Sequence, residues 1–302
     1  MLFCARLVVL ALLNFFPQYS FEIPPFLSWG IPLSAQQTST APAAVTADWV
    51  ARQVDSRDTG RDARSSMQMR LFDRQGRKRE RTLTLLAMEG AAAKPGIDAK
   101  AGAGARPDAI GDRLLMRFTY PNDIAGTSFL VWERDGAEDE RFLFLPALGR
   151  VRRIAGSERQ ESFVGSDFTY EDIGGRALED YTYTLLDANA TFTDPEGRAH
   201  PAYQLESRAK QADALYPRVI SLVRKDNFVV VRADIFNRRN EREKEYHVLR
   251  LEQVTGIWTA LSVVMTNELD RTRTELTTTG VNYNVGLKES DFSRRELERG
   301  AK

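Results

Sequence analysis

Alternation of apolar and polar side chains with a period of two dominates this chain from Asp62 onward. Arg64 to Asp73 (RSSMQMRLFD) sets Met67, Met69 and Leu71 against polar neighbours, and Gln75-Gly76 turns the chain into Arg81 to Glu89 (RTLTLLAME), predicting a hairpin with one wet face. Asp112 to Tyr120 (DRLLMRFTY) puts Leu114, Met116, Phe118 and Tyr120 on a single face. Pro121-Asn122-Asp123 reverses it, and Gly126 to Arg134 (GTSFLVWER) returns with Phe129 and Val131 on one side and Leu130 and Trp132 on the other. After the tight turn Asp135-Gly136, Arg141 to Leu145 (RFLFL) is apolar on both alternating faces, the pattern of a strand buried on both sides. Pro146 ends that ladder because it has no N–H to donate.

The stretch that follows is of a different kind. Leu148 to Ile154 (LGRVRRI) reads as a basic turn, and after the polar SERQES comes Phe163 to Ile173 (FVGSDFTYEDI). A surface loop has little use for Phe163, Phe168, Tyr170 and Ile173 in so short a span, so this segment is expected to fold back over something apolar. Arg150, Arg152 and Arg153 either grip phosphate or an acidic partner, or pair with Glu158, Glu161, Glu171 or Asp172 of the same segment.

From Tyr181 the alternation resumes in segments 181–187, 190–193, 201–208, 217–224, 228–236, 245–254, 257–267 and 271–281, with turn signals between them. That recurrence predicts one large antiparallel sheet, sandwich or barrel. Two helical pieces flank it. Thr46 is placed to cap a short helix running to about Arg57, with Trp49, Val50 and Val54 on one side, and Ser290 to Leu297 reads as a capped turn or a frayed tail. Gly90 to Ala109 has the composition of a flexible insertion; its glycines lack the strand-to-helix setting of a phosphate loop.

The N-terminus reads as an export signal over residues 1–35. Arg6 precedes the ten-residue apolar run Leu7 to Phe16, with cleavage expected after Leu33-Ser34-Ala35 and a linker at 36–46. The alternative, a retained anchor, would need roughly 20 apolar residues. Cys4 precedes the apolar run, so a chain cut at Ala35 carries no cysteine and no thiol chemistry.

Composition narrows the chemistry further. With 42 Lys+Arg against 42 Asp+Glu, the chain lacks the basic surplus that nucleic-acid binding wants. Two histidines, His200 and His247, do not assemble a zinc site of the usual kind, and no metal or cofactor is expected. Val164-Gly-Ser-Asp-Phe168 lacks the second glycine of a nucleophile elbow, so a serine triad is not the reading preferred, and no catalytic residue is assigned. The aromatic supply is the positive signal. Phe118, Tyr120, Phe129, Trp132, Phe142, Phe144 and Trp258 either line an apolar pocket in a strongly curved sheet or fill an ordinary sandwich core.

The strings YPNDIAGTSFLVW, RFLFLPALGRVRRI and SFVGSDFTYEDI, within residues 112–281, resemble the LolA-like outer-membrane lipoprotein-sorting protein family that accompanies RND/MMPL-type exporters. The resemblance implies a mainly β fold, with residues 47–302 forming a single curved antiparallel sheet, a half-open β-barrel covered by helices and loops. It also implies a non-enzymatic periplasmic protein that carries lipid or lipidated cargo in an apolar concavity, touching membranes transiently and serving an RND/MMPL-type transporter. On that reading the seven aromatics are the cavity and Phe163, Phe168, Tyr170 and Ile173 the cover. Arg150, Arg152 and Arg153 are then the site for a partner or a headgroup. The competing reading is a non-carrier interaction or sensor module of an envelope complex.

Overall fold

The computed structural model describes residues 45–90, 110–134, 137–175 and 177–299. The export signal at 1–35, the linker at 36–46 up to residue 44 and the insertion after Gly90 lie outside these residues.

Two meanders build the sheet. The first runs β1 (Asp62–Phe72), β2 (Lys78–Met88), β3 (Ile110–Tyr120), β4 (Ser128–Arg134), β5 (Glu140–Leu145) and β6 (Arg150–Ile154). The second runs β7 (Tyr181–Thr193), β8 (Ala199–Ala209), β9 (Arg218–Arg224), β10 (Val230–Phe236), β11 (Arg242–Val254), β12 (Ile257–Asn267) and β13 (Thr272–Tyr283). They join where β1 pairs with β13, giving one antiparallel sheet of 13 strands with β6 and β7 at its two free edges. The resemblance to a half-open barrel therefore holds. Segments 181–187 and 190–193 are one strand, β7, interrupted by bulges around Asp187. Conversely, the basic turn at 148–154 is the edge strand β6, whose three arginines are exposed.

The sheet is strongly curled. Phe192 of β7 meets His247 of β11 edge-on with ring centroids 5.7 Å apart, although four strand spacings separate those strands, about 19 Å on a flat sheet. The inner face carries the main core: Met67, Met69 and Leu71 of β1, Leu83 and Leu85 of β2, Met116 and Phe118 of β3, Phe129 and Val131 of β4, Tyr246 and Val248 of β11. Helix α1 (Ala47–Asp55) closes part of this face. Thr46 Oγ1 accepts the Trp49 N–H at 3.2 Å, Asp48 lies in the first turn, and Val50, Ala51 and Val54 are buried against β7 and β8.

Strands β4 and β5 have a second apolar face, and it too is covered. Leu130, Phe142 and Phe144, with Leu115 of β3, pack beneath Phe292 and Leu297 of the C-terminal segment, which ends in helix α3 (Arg294–Glu298). Trp132 Nε1 donates to the Phe292 carbonyl at 2.7 Å, Arg113 pairs with Glu289 at 3.0 Å, and the Arg294 guanidinium lies 4.2 Å from the Phe142 ring centroid. What reads in the sequence as a capped turn or a frayed tail is thus a structural strap. Truncating its buried anchor, Phe292→Ala, is expected to lower stability by about 3 to 5 kcal/mol, read as a fall in the urea unfolding midpoint.

Candidate functional site

Strand β6 lies at one edge of the sheet and β7 at the other, so the intervening segment 155–180 has to cross the inner face. Four residues carry it a long way. Phe163 touches Phe129 of β4, with centroids 5.4 Å apart, whereas the Asp167 carbonyl accepts from Lys244 Nζ of β11 at 2.6 Å. Six strand spacings, about 29 Å on a flat sheet, separate β4 from β11, and four residues span at most about 14 Å. The sheet therefore wraps the segment.

Local chemistry fixes the shape of this cover. Val164 and Gly165 both have positive φ, 51° and 73°, which makes a tight reversal closed by Phe163 N–H to Phe168 O at 2.7 Å. The left-handed conformation disfavours a β-branched residue, and the Val164 carbonyl is held there by the Arg81 guanidinium. Thr169 and Asp172 then form a reciprocal capping box, at 3.0 and 2.9 Å, that starts α2 (Tyr170–Gly174).

Two kinds of contact seat the cover. The first is apolar: Phe163, Phe168, Tyr170 and Ile173 are all buried, and Phe163 lies 5.9 Å from Phe118 and 5.5 Å from Tyr170. The second is a polar latch at Asp167. Its carboxylate accepts from the hydroxyls of Thr272 and Thr274, the latter at 2.7 Å, and its own N–H donates to Thr274 Oγ1 at 3.0 Å. At the other end Arg141, a buried residue of β5, donates to the Gly175 carbonyl at 3.3 Å and pairs with Asp139 at 3.1 Å. Burial pushes its pKa down and Asp139 opposes this. Gly174 is required there, since a Cβ would run into Arg141 Nε.

The sequence signal for these partners is a register, since a polar residue in step with a core face is a buried polar group. Arg81 alternates with Leu83 and Leu85, Lys244 with Tyr246 and Val248, and Thr274 with Leu276. None of these was singled out among the candidate residues.

The seven candidate aromatics do not share one face. Phe118 and Phe129 line the inner face and are packed against the cover. Phe142, Phe144 and Trp132 belong to the outer face beneath the C-terminal strap. Trp258 is half-buried, with the Arg224 guanidinium 5.3 Å from its ring centroid. Tyr120 is 55% exposed: its partner is Thr82 while Phe118 pairs with Leu83, so Thr119 is bulged and the face slips by one residue. Of the three arginines, Arg152 pairs with Glu158 at 3.3 Å, while Arg150 and Arg153 have no ion pair among the described residues. Ser166 Oγ donates to the Phe163 carbonyl at 2.8 Å, His200 is bound to Asp194 at 2.9 Å, and His247 faces Phe192.

Below the cover lies a cavity of about 340 Å³ whose walls are mostly polar, among them Asp73, Ser166, Lys244, Asn267 and Thr272. At the opposite end of the sheet, Glu133 is buried in β4. Its desolvation, together with the charges of Asp112 and Asp139, raises its pKa to about 7.

Two expectations follow from this geometry. Removing the latch, Asp167→Ala, should increase amide hydrogen exchange across residues 160–175 by at least tenfold while leaving exchange in β3 and β4 unchanged. Because the folded Glu133 binds its proton more tightly than the unfolded one, stability should fall as pH rises from about 4.5 to about 7. Glu133→Gln should therefore gain up to about 3 kcal/mol over the parent at pH 8 and nothing below pH 4, by urea unfolding at each pH.

Comparison with known proteins agrees with this architecture. The family model described as uncharacterized-protein-like matches residues 111–299, more than half of the chain. A solved DUF1329 family protein from Desulfovibrio piger ATCC 29098 is 27% identical, with 83% of this chain and 97% of that chain covered and a TM-score of 0.70. A solved domain from Vibrio parahaemolyticus, described as outer membrane lipoprotein-sorting, is 26% identical over 84% of this chain and 98% of that one, with a TM-score of 0.71. A LolA superfamily protein from Nitrosomonas europaea shares the fold at 16% identity, over 84% of this chain and 100% of that one, with a TM-score of 0.61. No curated protein matches. A half-open sheet of 13 strands, crossed on its inner face by segment 155–180 and matched over residues 111–299, makes this chain a member of the DUF1329 family with a LolA-like fold.

Proposed function

We propose that this protein is a periplasmic, non-enzymatic carrier that shelters one lipid or lipidated group against the inner face of its sheet, and that it serves transfer to or from the outer membrane together with an RND/MMPL-type exporter. One observation carries the reading. The apolar inner face is closed by a segment that is attached through side chains and is not woven into the sheet. Phe163 and Phe168 occupy the inner face as an acyl chain would, so cargo displaces them in exchange for equivalent burial. Each buried CH₂ of such a chain contributes about 0.8 kcal/mol, enough to hold a lipid reversibly without specific polar chemistry. The likeness to the Vibrio domain described as lipoprotein-sorting supports the same cargo class.

The test is native mass spectrometry of the purified protein alongside titration with a fluorescent fatty-acid probe. A co-purifying lipid and saturable probe binding are expected. Phe168→Asp should abolish retention or fold poorly, whereas Arg152→Ala, which breaks only an exposed pair, should change the unfolding free energy by less than about 1 kcal/mol and leave probe binding intact. A lipid-free protein that binds no probe would overturn the carrier reading in favour of an interaction or sensor module.

A further inference from the structure

The meander topology gathers six turns at one end of the sheet, in spatial order 146–149, 121–127, 73–77, 268–271, 237–241 and 210–217. The polar cavity opens on this same rim, since Asp73, Asn267 and Asp270 line it together with Ser166 and Asp167 of the cover. The three most exposed large apolar side chains among the described residues all belong here: Leu148 at 56%, Tyr120 at 55% and Leu269 at 54%. Each has an arginine near it in the fold. Arg150 follows Leu148, Arg271 follows Leu269, and Arg79 is the second residue of the strand paired with that of Tyr120. These three arginines, with Arg74 and Arg239 on the neighbouring turns, are exposed and have no ion pair among the described residues. Several rim carboxylates are already engaged: Asp73 with Arg77 at 2.6 Å, Glu268 with Arg242, and Asp270 with the Asn267 amide at 3.0 Å. Among the described residues Asp123, Asp213, Glu241, Glu243 and Asp270 stand outside any ion pair, and Lys210 and Arg238 add two cations to the five arginines, so the unpaired charge of the rim is positive on balance.

We propose that this rim is a membrane-docking face for the surface of an anionic bilayer, with Tyr120, Leu148 and Leu269 entering the headgroup region and the unpaired arginines meeting lipid phosphates. Neighbouring turns on one side of a sheet lie about 10 Å apart, two strand spacings, so the apolar tips are separate points and do not form one patch. A protein partner would need a matching pocket for each tip. A fluid interface accepts them independently, and apolar side chains beside arginines are the composition that interface takes up. The inference rests on the carrier reading, for it places the bilayer at the mouth through which cargo beneath the cover would leave.

The experiment is flotation of the full chain with phosphatidylcholine vesicles, with and without phosphatidylglycerol. The protein should float only when phosphatidylglycerol is present, and raising the salt should release it. The triple variant Tyr120→Asp/Leu148→Asp/Leu269→Asp should lose at least tenfold in partitioning, at an unchanged thermal midpoint. Arg74→Glu/Arg79→Glu/Arg150→Glu should lose the phosphatidylglycerol dependence. Leu186→Asp, at a 45% exposed apolar residue in mid-strand on β7, should float as the parent does. A parent chain that stays in the aqueous fraction with both vesicles, a triple variant that floats undiminished, or equal loss in Leu186→Asp would overturn the docking face. Probe binding without vesicles separates the two ideas. A triple variant that holds the probe but does not float leaves the carrier reading intact, and a parent that floats but binds no probe sinks the carrier reading alone.

Discussion

The path of the chain imposes one constraint on everything else. Both meanders meet at the middle of the sheet, where β1 pairs with β13, so the first ends at one edge and the second must begin at the opposite one. The link between them has no route along the sheet and lies across a face. An extended link over a flat sheet would expose apolar surface on both sides of itself, and the curl of the sheet removes that exposure by wrapping the link. Segment 155–180 is therefore at once connection, core filler and cover, and its aromatic content follows from that position.

How the cover is held also follows. Backbone groups that cross a sheet at an angle have no ladder to join, so they need partners from elsewhere. Side chains of the strands supply them: Arg81 to the Val164 carbonyl, Lys244 to the Asp167 carbonyl and Arg141 to the Gly175 carbonyl. Three long cations reaching from the sheet to carbonyl oxygens amount to a scaffold for irregular backbone, with Asp167 and its two threonines as the complementary acidic point. Three of the buried cations of the sheet, Arg81, Arg141 and Lys244, thus attach the cover.

Much of this was legible beforehand, and what escaped did so for physical reasons. The alternation of Met67, Met69 and Leu71, and the two-sided apolar strand Arg141 to Leu145, gave the correct strands because both features report burial directly. The aromatics of segment 163–173 pointed to a buried segment for the same reason. Strand β6 escaped because an edge strand with Arg150, Arg152 and Arg153 exposed has no wet and dry face to alternate. Tyr120 was assigned to the wrong face because a single bulged residue inverts the pleat, which periodicity alone does not reveal. The outer core escaped as a pairing: the two-faced strands β4 and β5 announced a second burial surface, but nothing local tied Phe292 and Leu297 to it across more than a hundred residues. The β1 to β13 junction, on which the crossing depends, is of the same long-range kind.

The C-terminal strap divides the sheet mechanically. From β3 to β5 the strands are clamped between the inner core and the layer of Phe292 and Leu297, so flexing them means sliding two packed layers past each other. Strands β8 to β12 have the inner core on one side and no such layer among the described residues on the other. The molecule is in this sense a stiff plate joined to a more pliable one, and the cover is bonded to both: by Arg141 to the stiff part and by Lys244 to the pliable part. Any breathing of the barrel is then felt first at the Lys244 end, where the latch and the polar cavity lie, while the end anchored to Arg141 serves as the fulcrum.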